Sequence, residues 1–424
     1  MTTIFLILIF ALGYLAIAFE QRLRLNKAAS ALLTGVLCWL VYFLDSDAPA
    51  KATDQLIHHI GEISSVLFFL LGAMTIVELI DSHGGFDIIS EKISTKSLPK
   101  LLVIIALFTF FLSSLLDNLT TAIIMTSLCA KILDQKEDRL WFAGMIIIAA
   151  NAGGAWSPLG DVTTSMLWIG GQVTALNLMK MTYLPSIIVC LVPLFIIGRK
   201  FKGKKLSHRV DVGSRKSDGS IIILFSGLGF LLFVPIFKSM TNLPPFMGMM
   251  LALGLMWIIT SVIHYKKLPE EKDKYSVSYA VQKIDIPSIL FFLGILLAVS
   301  ALESQGLLKI FASYLESILG NNYSIGTVLG LFSGIIDNVP LVAASQGMFS
   351  LVQFPTDHYF WEFIALTTGT GGSIIIIGSA AGVAAMGIES IDFLWYLKKI
   401  SWVALIGFAC GIVTFILQQT LTVQ

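Results

Sequence analysis

The chain has 424 residues, of which 56% are hydrophobic and only 13% charged, with a mean hydropathy of +0.85. A soluble domain carries about 25% charged residues, so the composition excludes a soluble fold and points to a chain embedded in lipid. The formal net charge of +1 gives no support to a nucleic-acid partner, and only the distribution of charge along the chain is informative.

A spanning helix needs about 20 predominantly apolar residues. The first such run, Ile4 to Phe19, has neither a basic n-region nor a small-residue cleavage site and reads as a retained helix. Simple spans are expected near 3–19, 28–44, 60–80, 182–198, 220–237, 245–264, 286–304 and 399–418. Four apolar stretches behave differently. Segments 99–131 and 324–353 are too long for one crossing, and each has a polar break in its middle, Asp117-Asn118 in one and Asp337-Asn338-Val339-Pro340 in the other. They read as re-entrant helical hairpins. Segments 140–178 and 359–388 are interrupted by Asn151-Ala152-Gly153-Gly154 and Gly369-Thr370-Gly371-Gly372 and read as crossing helices broken midway. Irregular backbone at that depth survives only where it is buried in protein or lines a cavity.

Lysine and arginine test this layout, because short cytoplasmic loops carry the excess of them. With both termini on the outer side, loops 20–27, 81–100, 131–139, 199–219, 265–285 and 389–399 lie inside and hold 24 of the 28 basic residues. The expected architecture is therefore an all-α polytopic membrane protein of about ten transmembrane helices, two of them broken, plus two re-entrant hairpins. Residues 1–198 form one repeat, 199–219 a basic cytoplasmic linker and 220–424 a second repeat. Each repeat has five crossings, so the two have inverted topology. Sequence echoes agree: Leu67-Phe68-Phe69-Leu70 with Leu290-Phe291-Phe292-Leu293, Ser113-x-x-x-Asp117-Asn118 with Ser333-x-x-x-Asp337-Asn338, and Gly153-Gly154 with Gly371-Gly372. Inverted repeats with discontinuous helices point to a secondary transporter and to its site.

A carboxylate in the bilayer core is expensive and is a functional hypothesis by default. Asp117 and Asp337 hold equivalent places in the hairpins, and Asp161 follows the first unwinding element. Oxygen-bearing side chains surround them: Ser113, Asn118, Thr120, Thr121, Asn151, Ser157, Thr163 and Thr164 in one half, Ser333, Asn338, Thr370, Ser373 and Ser379 in the other. Oxygen is what a hard cation binds. A buried carboxylate also titrates nearer neutrality than a solvated one, so one Asp can hold either a proton or a cation. The competing reading is that each Asp-Asn pair merely caps a helix; its recurrence in both halves argues for the site. His83, beside Gly84-Gly85, is a candidate for pH sensing, against the plainer reading of a loop histidine. Cys38, Cys129, Cys190 and Cys410 lie in apolar segments without metal or disulfide spacing.

At Ser113 to Thr121, Asn151 to Thr164 and Ser333 to Pro340 the sequence resembles the NhaD-type sodium/proton antiporters of the ion transporter superfamily, and the likeness covers nearly the whole chain. The resemblance implies that Asp117, Asn118, Asn151, Asp161, Thr163, Thr164, Ser333, Asp337 and Asn338 matter for transport. It also implies a homodimer in which a mobile transport domain moves against a scaffold. The reading is an antiporter of a bacterial cytoplasmic membrane, not an enzyme and without a cofactor, exporting Na⁺ and also Li⁺ for H⁺ by alternating access. Asp117, Asp337 and Asp161 exchange proton for cation. Asn118, Asn338, Asn151, Thr120, Thr121, Ser157, Thr163, Thr164, Ser333 and Thr370 bind or support the cation, with Na⁺ at Asp117, Asn118, Asn151, Asp337 and Asn338. The alternative is an oxyanion or carboxylate carrier for arsenite or a dicarboxylate, which would meet three uncompensated aspartates. An intramembrane hydrolase lacks a histidine paired with a nucleophile.

Overall fold

The computed structural model describes residues 2–18, 25–45, 48–86, 95, 97–206, 219–265 and 274–422. Most of the basic linker 199–219 therefore lies outside the described residues, as does much of the basic content of loops 20–27, 81–100 and 265–285.

The described residues are helical, with a single isolated β-bridge between Ser97 and Lys205. Seven helices are long and apolar enough to cross a membrane: Lys27–Leu44, Pro49–Ser82, Ala175–Phe201, Ser220–Thr241, Pro245–Ile263, Ile286–Ser304 and Ser401–Leu421. The count is eight if Ala380–Glu389 and Phe393–Lys399, bent by 116°, form one span. The chain is a multi-pass membrane protein. The apolar helix Thr2–Ala18 is shorter and packs against helix 27–44. One boundary differs from the sequence reading. The helix expected over 60–80 begins at Pro49, so His58 and His59, outside the expected span, lie within it. Proline suits the first helical turn, where its missing N–H costs nothing.

The long segments divide as their polar breaks predict. Helices Leu98–Ser113 and Asn118–Ile132 flank Asp117; helices Asn322–Ser333 and Asn338–Met348 flank Asp337. Lys136–Gly154 and Val162–Ile169 are separated by 155–161, and Tyr359–Gly371 is separated from Ala380–Glu389 by a stretch holding one short 3₁₀ turn.

Small residues set how closely these helices pack, because lipid supplies no hydrophobic drive to press them together. Helix 27–44 crosses helix 286–304 backbone to backbone, since a Cβ on Gly35 would stand 2.5 Å from the Gly294 carbonyl oxygen. Helix 175–198 contains Pro185 and Pro193, and Gly407 and Gly411 of helix 401–422 make room for it. Helix Leu307–Leu319 is not apparent in the sequence reading, which leaves 305–323 as a connection. It buries Leu308 and Ala312 while Ile310, Phe311, Tyr314 and Ile318 face outward. Gly306 and Gly320, at φ +77° and +68°, turn the chain at its two ends.

Candidate functional site

The four breaks meet at one place. Asp117 N-caps helix 118–132, its Oδ1 accepting from the Thr120 N–H (2.8 Å) and its Oδ2 from the Thr120 hydroxyl (2.7 Å). Asp161 caps helix 162–169 through the Thr163 N–H (3.3 Å), and Asp337 caps helix 338–348 through the Val339 N–H (3.3 Å). Ser379 takes the same position on helix 380–389, accepting from the Gly382 N–H. The capping reading thus holds geometrically, but it does not exhaust these residues. Asp117, Asn118, Asp161, Asp337 and Asn338 all line one cavity of about 40 Å³, together with Ala380 at the fourth helix start. A cavity needs about 10–15 Å³ to hold a water, so this one has room for about three water-sized groups.

Carboxamides tie the breaks together. Asn338 donates through Nδ2 to Asp161 Oδ2 (2.9 Å), and Asn118 donates to Asn151 Oδ1 (3.1 Å). Asn151 in turn donates from Nδ2 to the hydroxyls of Ser373 and Ser379, both at 2.9 Å. Asn151 is fully buried and stands behind the lining rather than in it. Its replacement by alanine strands an amide and two hydroxyls, each worth about 1–3 kcal/mol if left unpaired. Asn151→Ala is therefore expected to lower the detergent melting temperature and to raise the half-saturating cation concentration, both checked on purified protein.

Glycine makes the breaks possible. A Cβ on Gly160 would stand 2.7 Å from both the Gly154 Cα and the Ser113 carbonyl oxygen, and one on Gly378 2.6 Å from the Ser333 and Gly334 carbonyl oxygens. Gly153 lies closer still to the Phe110 carbonyl, and Gly371 to that of Gly330. Ser113 donates to the Ala150 carbonyl and Ser333 to the Thr368 carbonyl, both at 2.6 Å. The same contacts thus occur in both halves of the chain.

The other expected site residues take supporting places. Thr164 donates to the Ser157 carbonyl (2.7 Å), Ser157 accepts from the Leu159 N–H (3.2 Å), and the Thr370 hydroxyl is spent on the Leu366 carbonyl (2.6 Å). The Thr121 hydroxyl is buried without a hydrogen-bond partner. The lining also holds Ser165 and Ser288. Ser165 lies one turn beyond Asp161 and was legible as such; Ser288 comes from helix 286–304, which no local motif connects to the breaks. His83 departs from the loop expected of it: it is fully buried at the end of helix 49–82, its Nδ1 2.6 Å from the Leu79 carbonyl and its Nε2 2.9 Å from His264 Nε2.

Electrostatics separate cation from anion. The lining is built from the N-terminal sides of the four half-helices, each worth roughly +0.5 charge. With all three carboxylates ionised, their charge would outweigh that sum by about one negative charge.

A family model described as citrate transporter (CitMHS) matches residues 14–371. The chain is 47% identical over 412 residues to sodium/proton antiporter 1 of Arabidopsis thaliana, covering 96% of this chain and 71% of that protein. It is 44% identical to sodium/proton antiporter 2 of the same plant, over 96% and 98% of the two chains. It is 30% identical over 438 residues to the Na(+)/H(+) antiporter NhaD of Alkalimonas amylolytica, covering 96% of this chain and 88% of that one. The chain belongs to the NhaD-type sodium/proton antiporter family. Members of this family are transporters and not enzymes, and the lining carboxylates lie at the motifs that carry the resemblance.

Proposed function

We propose that this antiporter-family member exchanges Na⁺, and also Li⁺, for H⁺ across a bacterial-type cytoplasmic membrane, with the two ions competing for Asp117, Asp161 and Asp337. The observation that carries it is the cavity of about 40 Å³ in which three carboxylates and two carboxamides meet at four half-helix starts. Protonation of the carboxylates cancels the net negative charge and releases the cation; deprotonation restores it. The cavity is exposed alternately to the two sides. Both termini face outward and the chain works as a homodimer. The duplicated contacts around Gly153 and Gly371 support the inverted repeat, with 98–132 and 322–348 as its re-entrant hairpins.

A second cavity, of about 390 Å³, supports access from one end. It is lined by His59, Glu62, Glu303, Gln172 and Gln346 and by Val66 and Leu296. Val66 is one turn along its helix from Leu70, and Leu296 one turn from Phe292, both of which line the smaller cavity. An acidic vestibule thus adjoins the aspartates on the side the topology makes outer.

The carboxylate-carrier reading draws on the description of the matching family model, but the site argues against it. Pockets for molecules larger than a few atoms run to about 300–1,000 Å³, and an anion would face a net negative lining. The deciding experiment is dissipation of an imposed pH gradient in proteoliposomes on addition of Na⁺, Li⁺, K⁺, citrate, succinate or arsenite. Alkalinisation of the acidic interior by Na⁺ and Li⁺ is expected; anion-dependent uptake without a cation response would overturn the exchange reading.

A further inference from the structure

We propose that Tyr396 is a positioning residue for the cation site, its hydroxyl anchoring a hydrogen-bond relay that leaves the Asn118 carbonyl oxygen available to the transported ion. This rests on the exchange reading above.

Tyr396 lies on the short helix Phe393–Lys399, whose start is capped by Asp392 accepting from the Trp395 N–H at 2.8 Å. The helix is bent by 116° from Ala380–Glu389. Trp395 meets Trp141 of helix 136–154 edge to face, with ring centroids 5.7 Å apart. Ile400, just past the short helix, fills the space that Gly144 leaves on the same neighbour, since a Cβ there would stand 2.6 Å from the Ile400 Cδ1. Held in this way, Tyr396 is fully buried and donates from its hydroxyl to the Ser373 carbonyl at 2.8 Å. Ser373 lies just beyond the end of helix 359–371, where main-chain carbonyls lose their helical partners and lipid offers no water to replace them.

From Ser373 the relay runs to the cavity. The Ser373 and Ser379 hydroxyls accept from Asn151 Nδ2, each at 2.9 Å, which occupies both hydrogens of that amide. Asn151 can then offer Asn118 only its Oδ1, and Asn118 donates to it from Nδ2 at 3.1 Å. What Asn118 has left for the cavity it lines is an oxygen, the atom a hard cation binds. If Ser373 drifts, Asn151 loses an acceptor and the Asn118 amide loses its fixed sense. In the first half helix 175–198 follows helix 162–169 directly, and the break ends on Asp161. The second break ends on Ser379, and Tyr396 supplies its outside support.

The test is the pH-gradient assay in proteoliposomes on wild type, Tyr396→Phe, Ser373→Ala, the double variant and Tyr42→Phe, with a melting curve for each. Phenylalanine removes the hydroxyl alone. Tyr396→Phe is expected to raise the half-saturating Na⁺ roughly three- to tenfold, while the rate at saturating Na⁺ stays within about twofold of wild type. It is expected to add little once Ser373→Ala has already cut the relay. Tyr42 donates to Gln55 Oε1 at 2.7 Å, between helices 27–44 and 49–82; Tyr42→Phe loses a comparable hydrogen bond and is expected to leave half-saturation unchanged. Unchanged half-saturation in Tyr396→Phe, an equal shift in Tyr42→Phe, or a full Tyr396→Phe effect on the Ser373→Ala background would overturn the proposal. Should Tyr396→Phe not fold, Ser373→Ala decides, because it keeps the Tyr396 bond and removes only the hydroxyl that Asn151 uses: a raised half-saturation supports the relay, and a wild-type value overturns it. A wild type without Na⁺-driven proton movement overturns the exchange reading itself, and this inference with it.

Discussion

Asp117→Asn and Asp337→Asn are each expected to reduce Na⁺-driven proton movement by about 100-fold or more while leaving the protein folded and inserted. Asparagine caps a helix about as well as aspartate does, and its carbonyl oxygen can accept the same Thr120 or Val339 N–H. What is lost is charge. A unit charge pair about 4 Å apart is worth about 4 kcal/mol at intermediate dielectric, which is roughly 1,000-fold in affinity. The substitution also brings the lining's net charge from about minus one to about zero, so neither cation nor proton has a carboxylate left to contest at that position. The check is the pH-gradient assay beside a melting curve and size-exclusion profile; near-normal exchange by either folded variant would sink the assignment.

Gly153→Val and Gly371→Val are expected to fail earlier, at folding. In each case the added Cβ would occupy the position of a main-chain carbonyl, Phe110 in one half and Gly330 in the other. A backbone cannot rotate out of the way as a side chain can. Overpacking of this kind costs about 3 kcal/mol or more, against a whole-protein stability of about 5–15 kcal/mol. The readout is yield of monodisperse protein and its melting temperature. Equal sensitivity at the two positions is expected because the contacts match; a tolerated valine at either one would remove that half from the backbone-locked site. Gly229 and Gly254, where a Cβ meets nothing within 4 Å, serve as controls.

Much of this was legible in the sequence because the bilayer makes polar residues conspicuous. Asp117, Asp161 and Asp337 stand out in apolar segments, and each does start a half-helix at the cavity. The glycines of the two broken helices marked the breaks because only glycine allows two backbones to meet there. Features that depend on distant packing were not legible. Ser288 reaches the lining from another helix, and Asn151 is a ligand candidate by composition but a tie between breaks in space. His83 looked like a loop residue until helix 245–263 brought His264 against it. Helix 307–319 is too short and too mixed in polarity to announce itself as a span, and its exposed apolar side reads as a span fragment only when its length is ignored.

The wall of the aspartate cavity is made of two unlike materials. On one side the breaks are bolted main chain to main chain through Gly153, Gly160, Gly371 and Gly378, and among the described residues the side-chain hydrogen bonds of Asp117, Asp161, Asp337 and their asparagines run within one break or from one break to another. On the other side helices 49–82 and 286–304 contribute chiefly the apolar residues Phe69, Leu70, Met74 and Phe292, with Ser288 the one polar residue they add to the lining. Such a surface holds the breaks by packing, and among the described residues none of those hydrogen bonds reaches it. Under the alternating access we propose, the ion would travel with the breaks, its ligands undisturbed, while the apolar face that covers it changes.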